Sequence, residues 1–287
     1  MAIQSLNDIV NASANGRVNR FDWNKIFGTS AGVAGRSYDL SGLGGTPTAN
    51  TWTGTALNFQ EVDESTSWTM FHGGNVGAMQ KLLMNMGAIC TASTGIPGTL
   101  LLVDIEGYWP GISNNTTSPQ SLVGTPSLRA TDGKGLRLYW VQTSVAGATA
   151  QNISVSYTNQ DGTTGRSLAA TVAMTASAIV NHISHAGVAA NNYTPFLPLG
   201  GGDYGVRNVA SVTFSAANTG TGALVLARPV MEIPLGILSV YHNKDMLGQF
   251  PPPPAIPDGA GLSWVFIAGG SIAANTTLAG HITTVWG

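Results

Sequence analysis

The segment beyond Gly87 constrains this chain most. Strand-length apolar runs succeed one another almost to the C-terminus, broken by Gly, Asn and Pro, with no helix of crossover length between them. Residues 99–109 (TLLLVDIEGYW), 135–145 (GLRLYWVQTSV), 207–217 (RNVASVTFSAA), 222–230 (GALVLARPV), 235–242 (LGILSVYH) and 262–269 (LSWVFIAG) each read as a strand. Between them, Ile153, Val155 and Tyr157 alternate with Ser154, Ser156 and Thr158, a period of two that gives one apolar and one hydroxyl face. Asp161-Gly162 then supplies the positive φ that closes a hairpin, and Leu168, Ala170, Val172 and Met174 resume the alternation. Parallel strands need long crossovers, so this pattern predicts antiparallel pairing. The expected fold is mainly β, an antiparallel β-sandwich of jelly-roll type.

The N-terminal part reads differently. Residues 5–15 predict a short helix, with Ser5 as cap, Asp8 three positions later, and Leu6, Ile9 and Val10 along one edge. Residues 17–28 (RVNRFDWNKIFG) hold the densest charge in the chain and three aromatics. They fit an arm or lid that docks through Phe21, Trp23 and Phe27, or a surface helix with a few core anchors. Residues 1–28 are therefore expected to form a helical, aromatic arm, and residues 29–287 the sandwich. The stretch from 29 to 55 is loop-like, anchored by Trp52. One further short helix is expected over Val76–Met86, where Val76, Met79, Leu82, Leu83 and Met86 fall at helical spacing between a capping Asn75 and Gly87. A polyproline segment at 249–257 breaks the β pattern. Pro251, Pro252, Pro253 and Pro254 impose an extended conformation without backbone donors. Such a segment suits a strap across a neighbouring subunit, a ligand for an aromatic-lined partner, or a linker.

Composition bounds the function. Charged residues are 9% of the chain and the net charge is −2. Nucleic acid and anionic membrane surfaces call for a basic face, so neither partner is expected. The long uncharged stretch from Leu262 to Gly280 contains Asn275, Thr276 and Thr277, which suits strand and turn rather than a membrane span. A single cysteine, Cys90, excludes an internal disulfide and suits a buried thiol. The first residues lack the basic and apolar regions of a signal peptide, so synthesis in a cytoplasm is expected.

Candidate chemistry is sparse. Gly28–Gly32 (GTSAG) matches the nucleophile-elbow pattern, but its flanks are not the buried strand and following helix that the chemistry needs. His182 and His185 stand three apart, yet a zinc site needs further ligands and none lies near in sequence. Asp104 and Glu106 share one strand face. They fit a polar sheet face with partners on the next strand, a paired-carboxylate hydrolase, or, with Tyr108 and Trp109, a sugar-binding edge. Asp63-Glu64 reads as a solvated loop. No catalytic residue, metal or cofactor is expected.

Taken in order, the segments LNDIVNA, RFDWNKIFG, GRSYDLSGLGGTPTANTWTG, FHGGNV, GTLLLVDIEGYWPGIS, TDGKGLRLYWV, SYTNQDGTTGRS, GVRNVASVTFSAANTGTGALVLARPV and EIPLG carry a resemblance. The chain resembles virion structural proteins of tailed bacteriophages, and among them capsid decoration or cement proteins. The phrases YTNQDG-x-x-GR and D-x-x-GYWPGI carry it best, and both are strand and turn phrases. The resemblance implies a part of the virion, made in the host bacterial cytoplasm. Its partners would be the major capsid protein or other virion proteins, and copies of itself, with a trimer favoured. The alternative it leaves is a receptor- or glycan-binding head-fibre or tail module.

Overall fold

The computed structural model describes residues 3–28, 32, 34–91, 96–184, 194–247 and 252–287. In chain order the elements are α1 (Leu6–Ala14), β1 (Val18–Ile26), β2 (Arg36–Asp39), β3 (Gly44–Thr46), β4 (Gln60–Glu61), β5 (Lys81–Cys90) and β6 (Gly98–Ser113). Next come β7 (Gln120–Ser121), β8 (Arg137–Gln142), β9 (Gln151–Asn159), β10 (Arg166–Ser167), β11 (Val172–Met174) and β12 (His182–Ser184). The last are β13 (Val206–Phe214), β14 (Thr221–Leu235), β15 (His242–Asp245), β16 (Leu262–Ala268) and β17 (Thr277–Trp286).

The fold is mainly β, and these strands pair antiparallel throughout, as the strand succession predicts. They are distributed over three layers. At the centre, β14, β8, β12, β2, β16 and β6 pair in that order and β6 returns to β14, closing a six-stranded barrel. A front sheet has the order β15-β5-β17-β1-β3, and a back sheet the order β10-β9-β13-β7, with β11 also on β9.

Alternation along the barrel strands builds three cores at once. Leu101, Val103 and Ile105 of β6, Tyr139 and Val141 of β8, Val225 of β14 and Val265 of β16 fill the interior. Their neighbours Leu100, Leu102, Trp264 and Phe266 face the front sheet. Leu138, Trp140, Leu224 and Leu226 face the back sheet, against Ile153, Val155 and Tyr157 of the hairpin strand β9. The interior also holds a carboxylate. Asp39 accepts hydrogen bonds from Tyr139 Oη and from the Ser41 backbone N–H, each at 2.7 Å. Its burial raises the carboxyl above the usual range.

Helix α1 begins where expected. The Ser5 hydroxyl accepts the Asp8 N–H at 3.2 Å, and the Asp8 carboxylate accepts the Ser5 N–H at 2.8 Å, a reciprocal capping box. The segment after it is neither arm nor surface helix. Residues 18–26 are β1, paired along all nine residues with β17 and at its end with β3. Asn19, Phe21, Trp23, Lys25 and Phe27 face inward, and the even-numbered residues from Val18 to Ile26 face solvent. Trp23 and Phe27 are each 3% exposed, in the front core, with Trp23 5.2 Å from Trp264 and Phe27 5.5 Å from Tyr38 between ring centres. An inward lysine hid this alternation. Lys25 Nζ donates to the carbonyls of Leu43 and Pro47, at 3.1 and 2.8 Å, and so pins the loop beside β3.

The helix expected over Val76–Met86 is also replaced. Residues 76–79 form a turn, and β5 takes the apolar run from 81. Helical spacing and a strand buried on both faces look alike over so short a run. Leu83, Met86, Ala88 and Cys90 enter the front core, while Leu82 and Met84 lie under α1 with Ala12 and Val285. α1 is the one helix among the described residues. The strand expected at 235–242 instead ends at Leu235, and 236–241 form a loop before β15.

The prolines run along this chain's own sheet edge. The Leu83 N–H donates to the Pro254 carbonyl and the Ile256 N–H to the Lys81 carbonyl, both at 2.9 Å, so the segment continues the line of β15 along β5. A proline edge has no N–H to offer, and so it stops further pairing. Pro252, Pro253 and Pro254 lie here; Pro251 lies outside the described residues.

Deleting residues 1–28 removes β1 from between β17 and β3, and the cooperative thermal transition is expected to disappear. Deleting residues 1–16 uncovers the buried Leu82, Met84 and Val285 but no barrel strand, and should leave a folded protein with a lower melting temperature. Trp23→Ala is expected to cost about 3–5 kcal/mol in denaturant unfolding.

Candidate functional site

The residues singled out in the sequence lie mostly inside the molecule. Asp104 is fully buried and Glu106 is 3% exposed, both on β6. Arg129 closes over them: Nη2 donates to Asp104 Oδ1 at 2.7 Å, and its backbone N–H donates to Glu106 Oε2 at 3.0 Å. Arg228 of β14 holds Asp104 Oδ2 at 3.3 Å, and the Gly261 N–H reaches Oδ1 at 3.0 Å. These carboxylates are engaged from several sides, which is the polar-face arrangement and not a cleft with two free acids. Tyr108 and Trp109 are 6% and 0% exposed, so they offer no sugar-binding edge. His182 is buried, edge-on to Tyr38 at 5.8 Å between ring centres. His185 and residues 29–31 of the GTSAG stretch lie outside the described residues. Among the described residues no group of three His, Cys, Asp or Glu side chains is placed to hold a metal ion.

Two further clusters, which the sequence did not suggest, hold separate segments of the chain together. In the back sheet, Asp203 accepts from Tyr157 Oη at 2.6 Å, Asn159 Nδ2 at 2.8 Å and Arg166 Nε at 2.8 Å. The Arg166 guanidinium and these donors pull its carboxyl down to about 2. Beside the start of β5, Lys81 is 2% exposed and its ammonium donates to His72 Nδ1 at 2.8 Å and to the Gly74 carbonyl. His72, fully buried, turns Nε2 to the Ala260 carbonyl at 3.0 Å, with Glu64 Oε2 at 3.2 Å. Glu64 is thus drawn inward and not solvated. Burial, then the neighbouring Lys81 charge, push His72 down to about 4.

The outer face of the front sheet stays open where α1 does not cover it. There Tyr241, 46% exposed, lies across Gly87, where any Cβ would run into its ring and hydroxyl. Its hydroxyl bonds His281 Nδ1, and His281 Nε2 donates to Asn85 Oδ1 at 2.7 Å. The Tyr241 and His281 rings are parallel to within 6°, with centres 5.9 Å apart. Burial lowers the His281 basicity, and Nδ1 accepts the hydrogen bond of the tyrosyl hydroxyl. Beyond His281, Arg20 and Asp22 form an ion pair at 2.9 Å on β1, and Asn24 Oδ1 accepts the Thr46 N–H at 2.7 Å. Together they line a shallow groove of about 390 Å³ crossing the sheet. Gly87 and Tyr241 carried no signal in the sequence, because Gly87 sits at the end of an apparent helix and Tyr241 in an apparent strand.

A second open region is apolar. Ile237, Leu238 and Val240 of the β14–β15 loop are 61%, 37% and 44% exposed, and Leu6 and Val10 of α1 are more than half exposed. Between α1, β5 and the prolines lies an apolar groove of about 580 Å³, lined by Leu6, Ile9, Met246, Leu247, Pro252 and Pro253. No helix among the described residues is long and apolar enough to cross a membrane.

No protein-family model matches the chain, and no curated protein matches it. Among solved structures, the D431N mutant VP2 protein of infectious bursal disease virus, in derived T=1 particles, aligns over 93% of this chain and 77% of that one. The identity is 11% and the TM-score 0.15, a likeness too small to support any argument.

The His72 cluster sets a pH dependence. Unfolding returns His72 to an ordinary value of about 6.5, so the unfolded chain binds more protons below it. The stability His72 contributes is complete above about pH 6.5 and is lost as the pH falls toward about 4. Melting temperatures measured across that window should fall with acid in the native protein, and less steeply in His72→Gln.

Proposed function

We propose that the chain is a structural virion protein of a tailed bacteriophage, bound to the outside of the capsid and stabilising it through subunit contacts, as decoration or cement. The observation that carries this reading is the contrast between interior and surface. The charged clusters around Asp104, Asp203 and Lys81 are engaged in internal contacts, while the loop of Ile237, Leu238 and Val240 and the exposed edge of α1 offer apolar side chains to solvent. The loop lies beside Cys90 at one end of β5 and α1 over Leu82 and Met84 near the other, so they offer two separate apolar contacts of the kind a subunit neighbour covers. The resemblance of the segment order to virion proteins points the same way.

In this reading the barrel with its two sheets is a jelly-roll-like block elaborated to three layers. The contact falls to the β14–β15 loop and α1, because Trp23 and Phe27 are buried in their own core and Phe21 is half-buried beside them. The partners are the major capsid protein or other virion proteins, and further copies of the chain in a trimer. Neither nucleic acid nor membrane enters the reading, given the net charge of −2. The protein resides in the virion after synthesis in the host bacterial cytoplasm, and its role involves no catalytic step.

Light scattering after gel filtration is expected to give a mass near three times 29.6 kDa. The purified protein should co-sediment with capsids of its phage assembled without it, and raise their resistance to heat. Ile237→Asp with Leu238→Asp should weaken co-sedimentation about tenfold or more while leaving the melting temperature of the free protein nearly unchanged. A monomer that ignores such capsids would refute the reading.

A further inference from the structure

We infer that the outer face of the front sheet binds a neutral saccharide, stacked on Tyr241 and held at its edges by Arg20, Asp22 and Asn24. This activity goes beyond the capsid reading and does not depend on it.

Tyr241 crosses from the edge of the sheet over Gly87 to His281, and its hydroxyl is tied to His281 Nδ1. His281 is itself held by Asn85 on the other side. The tyrosine is therefore tethered through its hydroxyl as well as its backbone, yet nearly half of it meets solvent. One side of the ring packs on the bare backbone at Gly87 and the other stays open, which leaves an apolar face with a tethered polar tip available for stacking. The absence of a side chain at Gly87 is what lets the ring approach the sheet, so the platform rests on a particular glycine.

The surroundings select the ligand class. A pyranose has an apolar face of C–H groups and a rim of hydroxyls, each both donor and acceptor. The groove offers the complementary set: the Arg20 guanidinium donates, the Asp22 carboxylate accepts, and the Asn24 amide, oriented by its bond to Thr46 N–H, presents its NH₂. Arg20 and Asp22 neutralise each other, with side chains 57% and 69% exposed, so no net cation remains to favour a uronic or sialic acid. The volume of about 390 Å³ is at the small end of ligand sites and open along the sheet, which suits a short stretch of a longer chain.

The test is saturation-transfer NMR on the intact protein with maltohexaose, cellohexaose, laminarihexaose and chitohexaose at millimolar concentration. At least one is expected to show transfer, strongest at ring C–H protons. Tyr241→Ala should lower the affinity about tenfold, and Tyr241→Phe should keep most of it, since the stacking face survives. Gly87→Ala should weaken binding with Tyr241 still present, because the new methyl displaces the ring. Arg20→Ala, at a surface position, should weaken it with no change in melting temperature. Absence of transfer from all four sugars overturns the proposal, as does binding that Tyr241→Ala leaves unchanged. Loss of capsid binding in Tyr241→Ala, with no saccharide signal, would make the groove a protein contact and likewise overturn it.

Discussion

The pairing of β6 with β14 is the contact on which the other layers depend. It runs from Ser113 opposite Thr221 to Gly98 opposite Leu235, and three register shifts interrupt it. A strand this long cannot stay flat, and each bulge turns its side chains and bends it. One end of β6 therefore gives Leu100 and Leu102 to the front core, and the other gives Trp109 and Ile112 to the back core, while Leu101, Val103 and Ile105 point into the barrel. Closure removes the barrel's own edges, and the two flanking sheets are built on the surfaces the barrel leaves uncovered.

The scarce charges follow the same logic. With 12 basic and 14 acidic residues in 287, the chain cannot build a surface network, and several of the charges instead sit at joints between segments distant in sequence. Arg129 ties β6 to the segment before β8, Arg166 and Asp203 tie the back-sheet hairpin to the chain entering β13, and Lys81 ties β5 to the loop carrying His72. Removing one partner from such a buried pair leaves the other uncompensated, which is costly, so these joints are sensitive to single substitutions.

Much of the local structure was legible in the sequence. The hairpin around Asp161-Gly162 forms, with Gly162 at a φ of 81° and Ile153, Val155 and Tyr157 buried, but its return strand is split into β10 and β11, and Ala170 between them is exposed where the alternation places it inward. The capping box of α1 and the buried Cys90 follow equally directly from residue type. β1 and β5 were not legible, for one shared reason. Each is covered in a way only the tertiary fold decides: Lys25 faces inward because three carbonyls of a distant loop await it, and Leu82 and Met84 face outward because α1 lies over them. The division of strands among a barrel and two sheets was hidden too, since β12 and β2 of the barrel are short and β2 lies in a stretch that reads as loop. The groove at Tyr241 needs four strands to assemble, and no local pattern announces it.

The nine-residue pairing of β1 with β17 has a mechanical consequence. Val18 faces Val285 at one end of the ladder and Ile26 faces Thr277 at the other. A pulling force applied across residues 18 and 285 therefore acts on one rung at a time and opens this pair like a zipper. The same force along the closed barrel would have to shear many rungs together. Tension applied near the two ends of the chain would thus peel the front sheet while the barrel holds, which makes the molecule compliant on one side and stiff at its centre.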